Sequence, residues 1–182
     1  PPHTPTHYFS YSHAHLGDLH PNPTRRTTVQ LGGKVGQGGI KEVHIVGGLH
    51  PDWPFEYYLN MLSTIKKNFP ALHIKAFTAV EVDYMSKIGG LSLEDTLIFL
   101  KRHGLDVMPG GGAEIFDSAI RNRLCPEKIS GERWIEVMET AHMLGIKTNA
   151  TMLYGHIENY RDRVDHLQKL RELQDRTGGF LA

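Results

Sequence analysis

From Gly39 onward the chain repeats one unit: a glycine or turn, a short apolar run, a polar or glycine-rich loop, and an amphipathic stretch. The units open with Gly39-Ile40-Lys41-Glu42-Val43, Gly104-Leu105-Asp106-Val107-Met108 and Gly145-Ile146-Lys147-Thr148-Asn149. Another strand, Leu72 to Phe77, is entered after Pro70, and Phe180-Leu181-Ala182 reads as the beginning of a fifth. Repeats of roughly 30–40 residues suit β-α-β units. Parallel neighbours need a crossover, and right-handed crossovers place the helices outside the sheet.

The intervening stretches carry helical signals. After Pro54, the residues Phe55, Tyr58, Leu59, Leu62, Ile65 and Phe69 form one apolar stripe. Ser92 is suited to cap a helix that turns Leu93, Leu97 and Leu100 inward and stops at Gly104. Trp134, Val137, Met138, Ala141 and Leu144 make a third stripe closed by Gly145; Val164, Leu167, Leu170 and Leu173 make a fourth.

Polar, glycine-rich motifs follow successive strand ends, after Val46, Phe77, Met108 and Met152, instead of gathering at one switch point. That pattern selects a barrel over a doubly wound sheet. A complete barrel takes about 250 residues, and this chain has 182. The expected fold is therefore α/β: a partial TIM-type (β/α) barrel of about four to five parallel strands with outer helices, spanning 39–182, in a chain that reads as a fragment. Residues 1–38 differ in kind. They hold five of the 10 prolines and five of the 12 histidines with little periodicity, and are expected to be irregular, disordered or aberrant, with a frame error or foreign sequence explaining the shift near Gln37.

Composition excludes several roles. Twenty basic residues balance 20 acidic ones with no cationic run, so no nucleic-acid partner is indicated. No apolar run approaches the roughly 20 residues that span a bilayer, and no leader pattern opens the chain, so no membrane is expected and the location is read as cytoplasmic. The single cysteine, Cys125, excludes a disulfide framework and any site built from several thiolates.

Candidate site residues lie at the strand ends. Gly47 and Gly48 let main-chain groups approach a ligand, and His50 follows before Pro51. Thr78 and Glu81 follow the next strand, where barrels place functional groups, although Glu81 equally suits the start of a helix. His73 and Lys75 alternate on one face, either the lumen or the helix side; a lumenal Lys75 suits a dicarboxylate, and a partly solvated charge is the plain alternative. Three glycines precede Glu114, which makes it the best acidic candidate. His156 and Glu158 follow Gly155, and Asn149 lies within its strand. His3, His7, His13, His15 and His20 invite a metal reading, with His13-Ala14-His15 imitating the ligand pair of metal-dependent barrel hydrolases or aldolases. No strand pattern surrounds them, and no metal site is expected.

Four motifs taken together, Gly47-Gly48-Leu49-His50-Pro51, Lys75 to Glu81, Pro109-Gly110-Gly111-Gly112-Ala113-Glu114-Ile115 and Thr151 to Glu158, resemble the radical S-adenosylmethionine family, and within it the aminofutalosine synthases of menaquinone biosynthesis. The resemblance runs from Gly39 to Ala182. It implies that Gly47, Gly48 and Leu49 hold the amino group of S-adenosylmethionine, and that Glu114 contacts its ribose or amino group. It also implies that the loop with Thr151 and Gly155 lies near the adenine, Thr151 standing where the family has a glycine. His50, Thr78, Glu81, His156 and Glu158 become substrate candidates.

The implied chemistry is cleavage of S-adenosylmethionine to a 5′-deoxyadenosyl radical that adds to 3-[(1-carboxyvinyl)oxy]benzoate, giving 6-amino-6-deoxyfutalosine. Flavodoxin or ferredoxin would supply the electron. Cyclic dehypoxanthine futalosine synthase and the deazaflavin-forming synthase share the three-glycine acidic motif and are the alternatives within the family; a metal-dependent barrel hydrolase or aldolase is the alternative from another class. The family holds a 4Fe-4S cluster with three cysteines after the first strand, whereas residues 1–38 contain none. Cys125 offers one thiolate where three closely spaced ones are needed. The expectation is a fragment that does not assemble its cluster.

Overall fold

The computed structural model describes residues 40–182 and, for the backbone alone, His7–Ser10. Five strands lie in sequence order in one parallel sheet: β1 His7–Ser10, β2 Glu42–Val46, β3 His73–Ala76, β4 Val107–Met108 and β5 Lys147–Thr148. Strand order that follows chain order means the crossovers from β2 to β5 turn the same way, so their helices share one face. They are α1 Phe55–Asn68, α2 Ala79–Gly89, α3 Leu93–Arg102, α4 Ser118–Leu124, α5 Gly131–Met143 and α6 Tyr160–Thr177. This is the sheet and helix layer of a partial TIM-type barrel.

The segment expected to begin a further strand at Phe180 pairs in parallel with β5, through a bridge to Thr148 flanked by hydrogen bonds from Thr148 to Gly179, Leu181 to Thr148 and Ala150 to Ala182. One feature differs from the expectation: an additional strand, β1, lies inside the segment expected to be irregular. Histidines and prolines hide a strand from a pattern search because sheet pairing, not local alternation, holds it. The other candidate metal ligands of that segment, His3, His13, His15 and His20, lie outside the described residues.

Two of the glycines that open units, Gly104 and Gly145, also close the preceding helix. After α3, the Gly104 amide bonds the Lys101 carbonyl at 3.1 Å and the Leu105 amide bonds Leu100 at 3.0 Å; after α5, Gly145 bonds His142 at 2.9 Å and Ile146 bonds Ala141 at 2.8 Å. Both glycines have positive φ, 115° and 73°, as this helix stop requires. The next residue, Leu105 or Ile146, is buried and leads into the following strand.

Alternation sorts the two sheet faces. Val43, Ile45, Ile74, Ala76 and Met108 join Leu62, Ile65, Leu97, Leu100, Trp134 and Met138 in the core under the helices. Glu42, His44, His73 and Lys75 take the opposite, inner face, which answers the question left open for His73 and Lys75. The fourth stripe is corrected: Leu173 is buried, while Val164 and Leu167 are 60% and 52% exposed. Its inward side carries His166 instead.

Two histidines are built into the core as neutral groups. The Thr177 hydroxyl donates to the Leu173 carbonyl, so it accepts from His142 Nδ1 at 2.7 Å, leaving Nε2 to accept from Thr148 at 2.8 Å. The His142 ring also fills the space where a Cβ on Gly179 would stand, at 2.0 Å from Cγ. His166 donates to the Thr151 carbonyl at 3.0 Å and stacks on Phe116 at 4.0 Å. Burial lowers both from 6.5 to about 4. An unfolded chain takes up these protons below 6.5 while the fold refuses them, so their contribution is complete above that pH and is lost as pH falls toward 4. Urea midpoints measured across this window are expected to drop with pH, and His166→Asn is expected to flatten the slope. Gly179→Ala is expected to cost about 1–3 kcal/mol by overpacking, read in the same titration.

Candidate functional site

The loops leaving β2, β3, β4 and β5 meet as a continuous rim at one end of the sheet. Glu81 ties the first two together. Its carboxylate accepts from the Gly47 amide at 2.9 Å, the Thr78 amide at 2.8 Å and the Thr78 hydroxyl at 2.8 Å. The Thr78 oxygen in turn accepts from the Glu81 amide at 3.3 Å, completing a capping box at the start of α2. Burial pushes the Glu81 carboxyl above its ordinary range, and the Thr78 and Gly47 donors oppose that shift.

The three-glycine loop packs tightly between its neighbours. A Cβ on Gly110 would stand 2.6 Å from the Asn149 carbonyl oxygen, and one on Gly111 2.9 Å from the Thr78 methyl. These glycines therefore let the loops approach each other closely. Thr151 donates its hydroxyl to the Gly110 carbonyl at 2.5 Å, and the Leu153 amide bonds the Glu114 carbonyl at 2.8 Å, joining the last loop to the third.

Arg121 organises this loop from below. Its buried guanidinium donates to the carbonyls of Gly112 at 2.8 Å, Ala113 at 2.5 Å, Ile115 at 3.2 Å and Ile129 at 2.7 Å. Burial lowers its pKa, and Cys125 and Glu114 oppose the shift. Trp134 adds an Nε1 bond to the Gly111 carbonyl at 3.1 Å. Neither residue announces this in the sequence: Arg121 sits on a seven-residue helix without an apolar stripe, and Trp134 reads as core. Two rim residues other than glycine hold positive φ, Phe77 at 61° and Glu114 at 47°.

Several candidates prove to be committed to the scaffold. Thr78 and Glu81, expected at the substrate, are spent on the capping box and on Gly47. Glu158, likewise expected there, accepts from the amides of Gly155 at 2.5 Å and His156 at 2.9 Å and from Arg163 at 2.9 and 2.7 Å. Gly155, with φ 93°, serves that turn, and the Thr151 hydroxyl is taken by Gly110. The remaining candidates differ in exposure. Gly48 and Leu49 are exposed, as is His156. His50 stacks on Trp53 at 4.1 Å, and its Nδ1 accepts from the Asp52 amide at 3.2 Å. Glu114 pairs with Lys128 at 2.5 Å.

This architecture, a partial (β/α) barrel whose strand-end loops share one rim, is the ligand-bearing end of barrel enzymes. The sequence pattern of the Radical SAM superfamily matches residues 11–170, so the chain belongs to the radical S-adenosylmethionine superfamily. The match begins inside the segment that the sequence reading set apart. Among relatives, an aminodeoxyfutalosine synthase of Thermus thermophilus is 51% identical over 146 residues, 80% of this chain and 39% of its own length. The Streptomyces coelicolor protein of the same name is 48% identical over 141 residues, 78% of this chain and 36% of its own. A 5-amino-6-(D-ribitylamino)uracil–L-tyrosine 4-hydroxyphenyl transferase of Methanopyrus kandleri is 45% identical over 163 residues, 88% of this chain and 44% of its own. The chain thus spans well under half the length of these relatives. Its fold is similar to that of OxsB, a cobalamin-dependent S-adenosylmethionine radical enzyme solved with aqua-cobalamin, at a TM-score of 0.54 and 14% identity over 79% of this chain and 22% of that one.

The family's metal group does not fit the residues present. β1 ends at Ser10 and β2 begins at Glu42, and the connection between them contains no cysteine. The chain's one cysteine, Cys125, caps the far end of α4 after β4. Among the described residues no group of three or more His, Cys, Asp or Glu is placed to hold a metal ion, and no helix is long and apolar enough to cross a membrane.

Glu81→Ala is expected to cost about 1–3 kcal/mol through the lost cap and stranded amides, and Arg121→Met about 2–4 kcal/mol, both read by urea unfolding. Backbone hydrogen bonds from Gly155 and then His156, with the Arg163 pair, hold Glu158 at about 2, below 4.5. Its contribution is therefore complete above 4.5 and lost as pH falls toward 2. The Gly155 and His156 amide resonances are expected to move to solvent-exposed positions over that window, and Glu158→Gln to place them there at neutral pH.

Proposed function

We propose that this chain is the S-adenosylmethionine-positioning part of a radical S-adenosylmethionine barrel of the aminodeoxyfutalosine synthase type, and that as written it does not carry out the radical step. The observation that carries this reading is the continuous rim from Gly47 through Thr78 and Gly110 to Thr151, in a chain 51% identical to such a synthase over 146 residues.

The residues that would hold the cofactor are Gly48 and Leu49 on the first loop and Glu114 on the third, with Gly47, Thr151 and Gly155 setting the loop shapes. Bound there, S-adenosylmethionine supplies the adenosyl group of the family's chemistry. Glu81 fixes the Gly47 backbone before any ligand arrives, and Arg121 fixes the carbonyls leading to Glu114. Rigid positioning of this kind lowers the cost of ordering on binding. The cysteine-free connection between β1 and β2 gives the iron–sulfur cluster no ligands, so the electron from flavodoxin or ferredoxin expected for the intact family has no acceptor site in this chain.

The substrate proposed for the intact type is 3-[(1-carboxyvinyl)oxy]benzoate. The second reading, transfer of a 4-hydroxyphenyl group from L-tyrosine, rests on the 45% identity to the Methanopyrus protein, which matches a longer stretch of this chain, 163 residues. Titration calorimetry with S-adenosylhomocysteine is expected to show one site per chain, weakened by Gly48→Val. Anaerobic reconstitution with iron and sulfide is expected to leave the protein without four irons and their visible absorption. No binding of S-adenosylhomocysteine would remove the positioning role, and a stoichiometric cluster would remove the claim of inactivity.

A further inference from the structure

The inner face of a (β/α) barrel is ordinarily filled by layers of branched aliphatic side chains. Val107, in register with Lys75, follows that rule and is 4% exposed. The neighbouring positions do not. Glu42 is in register with His73 and His44 with Lys75, so a carboxylate, two imidazoles and an ammonium share one small patch of the inner face.

All three basic groups converge on the same acid. Glu42 Oε1 accepts from His44 Nε2 at 2.7 Å and from Lys75 Nζ at 3.2 Å, and Oε2 accepts from His73 Nδ1 at 3.0 Å. The Lys75 side chain is only 14% exposed. Burial raises the Glu42 carboxyl, and His44, Lys75 and His73 together bring it below its ordinary value. The carboxylate is thus present as an anion in the midst of three groups suited to receive one.

The three contacts are not equivalent. Lys75 makes the longest, and both Glu42 oxygens keep an imidazole when it leaves. Lys75 also stands one residue from the end of β3, where Ala76 and Phe77 lead into the rim at Thr78. Its flexible stem carries three rotatable donors, so its head can turn from one acceptor to another without moving the sheet.

We propose that the inner face of β2 and β3 is a carboxylate-binding subsite, in which Lys75 exchanges the Glu42 carboxylate for that of a small anionic substrate entering from the rim. Glu42 is then an internal stand-in that keeps Lys75 oriented until the ligand arrives. This deepens the proposed function, on which it rests for the choice of a benzene dicarboxylate as probe.

Titration calorimetry of the whole chain with isophthalate, and with benzyl alcohol as the uncharged control, tests it. Isophthalate is expected to bind and the alcohol not to. Lys75→Met is expected to weaken isophthalate at least roughly tenfold, the value of a charge-assisted hydrogen bond. Glu42→Gln is expected to tighten it, because the internal competitor loses its charge; a purely structural ion network predicts no gain. In the unaltered chain, amide resonances of His44, Lys75 and Val107 are expected to shift on titration while that of Thr140 on α5 stays, a readout that does not depend on the variants folding. Absence of isophthalate binding, equal affinity in Lys75→Met, or weaker binding in Glu42→Gln overturns the proposal. S-adenosylhomocysteine titrated in parallel reports on the rim alone, so its failure to bind is scored against the proposed function and not against this subsite.

Discussion

Parallel strands cannot be joined by a tight turn, and everything in this molecule follows from how its chain returns. From β2 to β5 each return is made of helices on the same side, and the successive strand ends are thereby collected at one edge of the sheet. Helix stops at Gly104 and Gly145 make that return economical in length: the residue that terminates one helix delivers a buried leucine or isoleucine straight into the next strand. The core is thus built by the same residues that set the positions of the loops.

The loops at that edge hold one another. Glu81 joins the first to the second, packing around Gly110 and Gly111 joins the second and fourth to the third, and Thr151 adds a hydrogen bond across the same gap. A polar group buried in such a place is stabilising only if its partners are supplied. Arg121 illustrates this, since four main-chain carbonyls surround its guanidinium. Much of the polar chemistry at the rim therefore maintains shape, and the positions it leaves exposed include Gly48 and Leu49.

The repeating unit made the barrel legible, because apolar periodicity and glycine stops are local signals. Most helices and the strands β2 to β5 could be read that way. β1 could not, since its membership depends on pairing with β2, and α2 and α4 are short elements started by Thr78 and Asp117 caps with little apolar stripe. At the site, the loops were legible and the roles of their side chains were not. Thr78, Glu81 and Glu158 have the chemistry of ligand contacts, yet each is turned toward backbone amides close at hand, which sequence spacing does not reveal. Lys75 and His73 were placed on one face correctly; that Glu42 gathers them required the strand register.

Phe77 and Glu114 occupy the left-handed region at two neighbouring mouths of the sheet, a conformation that residues with a side chain adopt at a cost of order 1–3 kcal/mol each. The surrounding packing must hold that tension permanently, so the rim behaves as a pre-stressed frame. Robustness and shape are set against each other at these two positions: relaxing either would make the protein hardier and the cradle less definite, and evolution of this scaffold toward heat tolerance has least room there.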